Sequence, residues 1–177
     1  MLSPDSRVGR TVLGFAEFLP LLAFVYAGRF EADYPERFVW GAGTALVVVP
    51  ALLLLGRRLN PLLVAVAIWL CFEAFAILLP ITLLGEALGV LQEAGFFLAI
   101  LAVGAGYVLA GRGLFAVVDG ARARRASFVL LALAGGGLVW ALVFRGNEAV
   151  AAVLPATVLF VAQMMLAARL RDRADAS

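Results

Sequence analysis

The sequence predicts an all-α protein, a polytopic transmembrane bundle of six spans with one or two short interfacial helices, forming a single domain over residues 1–177. Three observations carry that prediction. The chain is 64% hydrophobic and 15% charged with a mean hydropathy of +1.05, outside the range of soluble domains. Its apolar residues gather into six runs near the length of about 20 that a helix needs to cross a bilayer. Its fourteen basic residues, all arginines, lie around those runs, in the links and at the two ends of the chain.

The runs are Thr11 to Gly28, Phe38 to Leu55, Leu62 to Leu84, Phe96 to Ala110, Ser127 to Phe144 and Ala149 to Ala168. The first also has the outline of a cleaved signal peptide, with Arg7 and Arg10 before it and small residues around Val25 to Ala27. Glu17 in its apolar stretch argues against cleavage, which would invert every later orientation. Arg29 to Arg37, Gly56 to Pro61 and Arg145 to Glu148 are polar links with turn-forming residues, so the runs they join are antiparallel neighbours. In Ile81 to Glu93, the residues Ile81, Leu84, Leu88 and Leu91 recur at helical spacing with Glu86, Gln92 and Glu93 off the stripe, the pattern of an interfacial helix. The fourth run is short; Gly111 to Arg125 either prolongs it or lies in the interface, and the interface reading is preferred.

With six spans, one side holds Arg7, Arg10, Arg57, Arg58, Arg112, Arg122, Arg124, Arg125, Arg169, Arg171 and Arg173, against Arg29, Arg37 and Arg145 on the other. The positive-inside rule then makes both termini cytoplasmic. The expected location is a bacterial inner membrane, with the acidic links, among them Glu31, Asp33, Glu36, Glu86 and Glu93, facing out. Tyr26, Phe30, Tyr34, Phe38, Trp40, Trp140 and Phe144 collect near the outer ends, as an interfacial belt does.

Composition removes much chemistry. There is no histidine, no lysine and one cysteine, Cys71. Histidine-ligated metals, Ser-His-Asp triads, P-loops and an internal disulfide are excluded. No basic face interleaved with aromatics points to nucleic acid. Asp119 to Arg124 (DGARAR) matches the opening of the CDP-alcohol phosphotransferase motif, but no further acids follow in Ser127 to Phe144 to hold divalent ions, so it reads as a basic loop. No catalytic residue, metal site or cofactor is expected.

Two ionisable side chains fall inside spans, where each costs several kcal/mol unless protonated, paired or hydrated. Helical rise puts Glu17 roughly 10 Å and Glu73 roughly 17 Å from the cytoplasmic ends of their spans, with Gln163 about 9 Å and Thr44 about 17 Å from theirs. Equal depth pairs Glu17 with Gln163, and Glu73 with Thr44 near the midplane. These four form the candidate polar site. It reads either as hydrogen-bonding glue, at about 0.6 kcal/mol per contact, or as the proton-coupled site of a small transporter. Pro20, Pro50, Pro80 and Pro155 bend spans or break them. Ala102, Gly106 and Ala110 form a small-residue ridge suited to packing within the monomer or to a homo-oligomer seam.

At the first span, Glu17-Phe18-Leu19-Pro20-Leu21-Leu22-Ala23-Phe24 resembles the opening of the bacterial septation protein A family, in which an acid precedes a Phe-Leu-Pro-Leu stretch. Leu109-Ala110-Gly111-Arg112-Gly113-Leu114-Phe115 is similar to that family's Gly-basic-Pro-Leu ending of a middle helix, with Gly113 where proline is usual. The family's lysine-bearing stretch before the fourth helix is replaced here by Gly85 to Gly95. The resemblance implies a non-enzymatic inner-membrane protein that supports cell-envelope integrity and division through membrane-protein partners. It singles out Glu17, Pro20, Gly111 and Arg112.

Overall fold

The computed structural model describes residues 15–30, 33–79, 91, 93–114, 121–147 and 149–175, and these are helical apart from short links and turns. The helices are α1 (Leu19–Ala27), α2 (Tyr34–Leu54), α3 (Pro61–Leu78), α4 (Ala94–Leu109), α5 (Ala121–Val143) and α6 (Leu154–Asp175). A 3-10 turn, Gly28–Phe30, follows α1, and a π turn, Ala149–Val153, leads into α6. Among the described residues four segments are long and apolar enough to cross a membrane: Pro35–Leu54, Pro61–Leu78, Ala121–Val143 and Ala149–Leu170. At 16 residues, α4 is apolar but shorter. The interfacial helix expected in Ile81 to Glu93 lies almost wholly outside the described residues, as do Arg7, Arg10 and Asp119.

Local chemistry sets the boundaries. Pro20 has no N–H to offer the carbonyl of Ala16, so the helical geometry at Phe15 and Ala16 breaks into a turn at Glu17 and Phe18. There the Phe18 N–H bonds to the Phe15 carbonyl at 3.0 Å, and α1 restarts with the Leu22 N–H on the Phe18 carbonyl at 2.9 Å. The first apolar run is therefore discontinuous. α2 starts four residues before the expected Phe38, since Pro35 suits a first turn. α3 stops at Leu78, short of the expected Leu84: Leu79, immediately before Pro80, is extended (φ −109°, ψ 111°), the conformation that a following proline favours.

The end of α4 is equally specific. Gly111 sits at φ +75°; its N–H bonds to the Val108 carbonyl at 3.0 Å, and the Arg112 N–H bonds to the Tyr107 carbonyl at 2.9 Å. This is a Schellman cap, so the helix ends here instead of running on toward Val118. Gly56 and Arg57 close α2 in the same way. α5 begins six residues before Ser127, carrying the exposed Arg122, Arg124 and Arg125 on its first turns. In the last segment, Pro155 cannot bond to the Ala151 carbonyl, and the backbone widens into the π turn just before it.

Each helix packs mainly on its neighbours in sequence, from α1 to α6. The core is an aromatic seam crossing four helices: Phe24 of α1 lies 4.9 Å from Phe38 of α2, which lies 5.2 Å from Trp69 of α3. Trp69 meets Phe96 of α4 edge-on at 5.4 Å, and Phe96 meets Phe97 at 4.9 Å. Phe97 is fully buried against Gly137 of α5, where a Cβ would stand 2.6 Å from the ring. The outside is the reverse of a soluble surface, with Leu54 90%, Met164 72% and Leu46 69% exposed. In water such surface drives association; in a bilayer it faces lipid tails.

Candidate functional site

Asn60 is the N-cap of α3, a role that its side chain and the following Pro61 both suit. Its Oδ1 accepts the Leu62 N–H at 3.0 Å. The rest of its polar groups reach further. Its backbone N–H donates to Glu17 Oε2 at 3.0 Å. Its amide exchanges two bonds with Gln163 of α6: Asn60 Nδ2 to Gln163 Oε1 at 3.1 Å, and Gln163 Nε2 to Asn60 Oδ1 at 2.7 Å. Gln163 Nε2 also approaches the Leu114 carbonyl at 3.4 Å.

Gln163 is buried, and Leu114 and Ser127 are fully so. Ser127 Oγ accepts the Leu114 N–H at 2.8 Å and donates to the Ala123 carbonyl at 2.7 Å. One hub thus joins four pieces: the break before α1, the α2–α3 link, the residues just after α4, and α6. Arg124 adds a longer tie, Nη2 to the Gly111 carbonyl at 3.5 Å. Arg57, Arg58, Arg112, Arg122, Arg124 and Arg125 therefore gather at one end of the bundle.

The four sequence-derived candidates separate into two places. Glu17 and Gln163 come to the same residue, Asn60, and do not need to touch each other. The expected pairing of Glu73 with Thr44 is corrected: the Thr44 hydroxyl donates to the Trp40 carbonyl at 2.9 Å, one turn back on its own helix, a habit of helical threonine. Glu73 stands five residues from the end of α3, about 7.5 Å below it by helical rise, and so lies off centre. It faces Gly95 of α4, where a Cβ would sit 3.5 Å from Glu73 Oε1 and 3.3 Å from Trp69 Nε1. The carboxylate lies beside the buried indole N–H of Trp69, one turn back on the same helix. Glu93, expected on the polar side of an outward-facing interfacial helix, is 8% exposed with Oε2 unpartnered.

The residues singled out by the resemblance have structural work. Glu17 and Pro20 make the break and anchor it; Gly111 and Arg112 make the cap of α4. Sequence reasoning missed Asn60, reading it as a turn residue, although Asn-Pro before an apolar run is a helix-start signal. Among the described residues no three carboxylate or thiol side chains converge to hold a metal ion.

What these features define is a protein all-helical among its described residues, with four helical segments long and apolar enough to cross a membrane and a hydrogen-bonded polar hub at one end of its bundle. Compared with known proteins, the chain gives no significant match to any family model, curated protein or solved structure.

Proposed function

We propose that this chain is a six-span bacterial inner-membrane protein of the septation protein A type, non-enzymatic, with both termini cytoplasmic. It supports envelope integrity or division through membrane-protein partners. The observation that carries this reading is the hub: Asn60 bonds to both Glu17 and Gln163, Gln163 reaches the Leu114 backbone, and together they hold four segments at one level. A hydrogen-bonded intramembrane network rigidifies a bundle, which suits a scaffold that presents fixed helical faces to partners. The arginines at the hub end support a cytoplasmic assignment for it, and the acid that the resemblance singles out is the hub's carboxylate. The test is genetic: cells lacking the gene become elongated or lysis-prone, and both the unchanged chain and Glu73→Gln restore them. Restoration by the unchanged chain but not by Glu73→Gln overturns the scaffold reading.

One observation favours a second reading, a small proton-coupled carrier. A carboxylate set in an apolar helix beside the buried Trp69 indole N–H is a polar arrangement that packing alone does not require, and intramembrane acids mark ion pathways. The carrier reading requires proton movement that depends on Glu73.

A further inference from the structure

The cap that ends α4 and the first turns of α5 bring like charges together. Arg112 directly follows Gly111 in the Schellman cap, and Arg124 reaches across from α5 to donate from Nη2 to the Gly111 carbonyl at 3.5 Å. The Ser127 hydroxyl, accepting the Leu114 N–H at 2.8 Å, holds the two segments in this register. Arg112, Arg122, Arg124 and Arg125 are all exposed. Arginine in the first turn of a helix also stands against the positive end of the macrodipole, and α5 has no acid there. Between Glu93 and Glu148 the chain holds one acid, Asp119. One acid serves one arginine, so three of the four stay in surplus. The end of α6, which packs on α5, carries Arg169, Arg171 and Arg173 against Asp172 and Asp175, and so brings no net negative charge.

Deeper along α5 the exposed surface turns apolar. Phe128 stands four residues after Arg124 and Val129 four after Arg125, each one turn further on the same face, and both are more than half exposed. α5 is long and apolar enough to cross a membrane. Within one turn, about 5.4 Å, the surface passes from guanidinium groups to side chains suited to hydrocarbon, the order of head and chain in a phospholipid. We propose that Arg112 and Arg124, with Arg122 and Arg125 beside them, hold the phosphate of an anionic phospholipid whose acyl chains run along α5 past Phe128 and Val129. Guanidinium groups match phosphate oxygens in a two-pronged geometry. A zwitterionic lipid brings its own cation to a surface already in positive surplus, and an anionic one does not. The proposal needs only that this end of the bundle lies at a bilayer surface, and it stands whether the chain is a scaffold or a carrier.

The test is lipid retention by the purified full chain in detergent micelles, read by native mass spectrometry during titration with phosphatidylglycerol or with phosphatidylcholine. Each arginine near a lipid surface is worth roughly five-fold in affinity for an anionic head. The unchanged chain therefore retains phosphatidylglycerol at a concentration roughly twenty-fold lower. Arg112→Gln with Arg124→Gln removes most of that preference, and Arg112→Lys with Arg124→Lys keeps most of it. Arg145→Gln, at the other end of α5, leaves it unchanged. Equal retention of both lipids by the unchanged chain overturns the proposal. So does a preference that survives the paired glutamines, or one that Arg145→Gln lowers as much, which makes it a matter of net charge alone. Loss in the paired lysines equal to that in the glutamines also overturns it, because charge is then not what binds. Release of phosphatidylglycerol by inorganic phosphate at the lipid's own concentration assigns the site to a free anion and overturns the lipid reading.

Discussion

Replacing Gln163 by leucine tests the hub where it crosses between helices. The substitution keeps side-chain bulk but removes the 3.1 and 2.7 Å bonds to Asn60 and the longer approach to the Leu114 carbonyl. Side-chain hydrogen bonds inside membranes average about 0.6 kcal/mol and reach about 1.7. Loss of the pair therefore costs about 1 kcal/mol, and about 3 at the upper limit. Asn60→Ala removes the same pair and also the cap on the Leu62 N–H, about 1 kcal/mol more. It leaves the Glu17 contact intact, because that bond comes from the Asn60 backbone. Beyond Asn60→Ala, the double variant should lose only the 3.4 Å approach to the Leu114 carbonyl, giving a coupling of about 1 kcal/mol in a double-mutant cycle. Equilibrium unfolding in mixed micelles, followed by tryptophan fluorescence, measures all four corners. A coupling under about 0.3 kcal/mol, within ordinary additivity error, refutes the hub.

Four further outcomes follow from local geometry. Ser127→Ala removes the acceptor of the fully buried Leu114 N–H and should cost about 1–3 kcal/mol in the same unfolding assay. Gly137→Ala puts a methyl 2.6 Å from the buried Phe97 ring and should cost about 1–3 kcal/mol. Gly106→Ala meets nothing within 4 Å and should be neutral or stabilising by up to about 1 kcal/mol; equal effects at the two glycines would contradict the packing. Gly111→Ala forces a side chain into φ +75° and should destabilise by about 1–2 kcal/mol, with Gly111→Asn milder; a harmless alanine there would deny the Schellman cap.

Much of the helical plan was legible because hydrophobic runs and their polar links report directly on burial in lipid. Helix ends were less so, since apolar composition marks the depth of the hydrocarbon and not where hydrogen bonding stops. The arginine-bearing first turns of α5 are polar yet helical, while Leu79 and its neighbour Pro80 are apolar yet stop α3. Depth arithmetic placed Glu17 and Gln163 at one level, and the structure joins both to Asn60. Depth says nothing of direction around a helix, which is why equal depth did not bring Thr44 to Glu73. Asn60 escaped because a residue in a polar link looks solvated in sequence. Only the packing of α6 against that end of the bundle shows that the link is roofed.

The measurement closest to the central claim is voltage-driven proton entry into proteoliposomes holding the purified chain, beside Glu73→Gln and Glu17→Gln. If the intramembrane acids hold helices together, all three preparations are equally silent, and Glu17→Gln still folds because an amide oxygen can accept the Asn60 N–H. Proton entry in the unchanged chain that Glu73→Gln abolishes contradicts the account and makes the protein a carrier with its site beside Trp69 and Gly95.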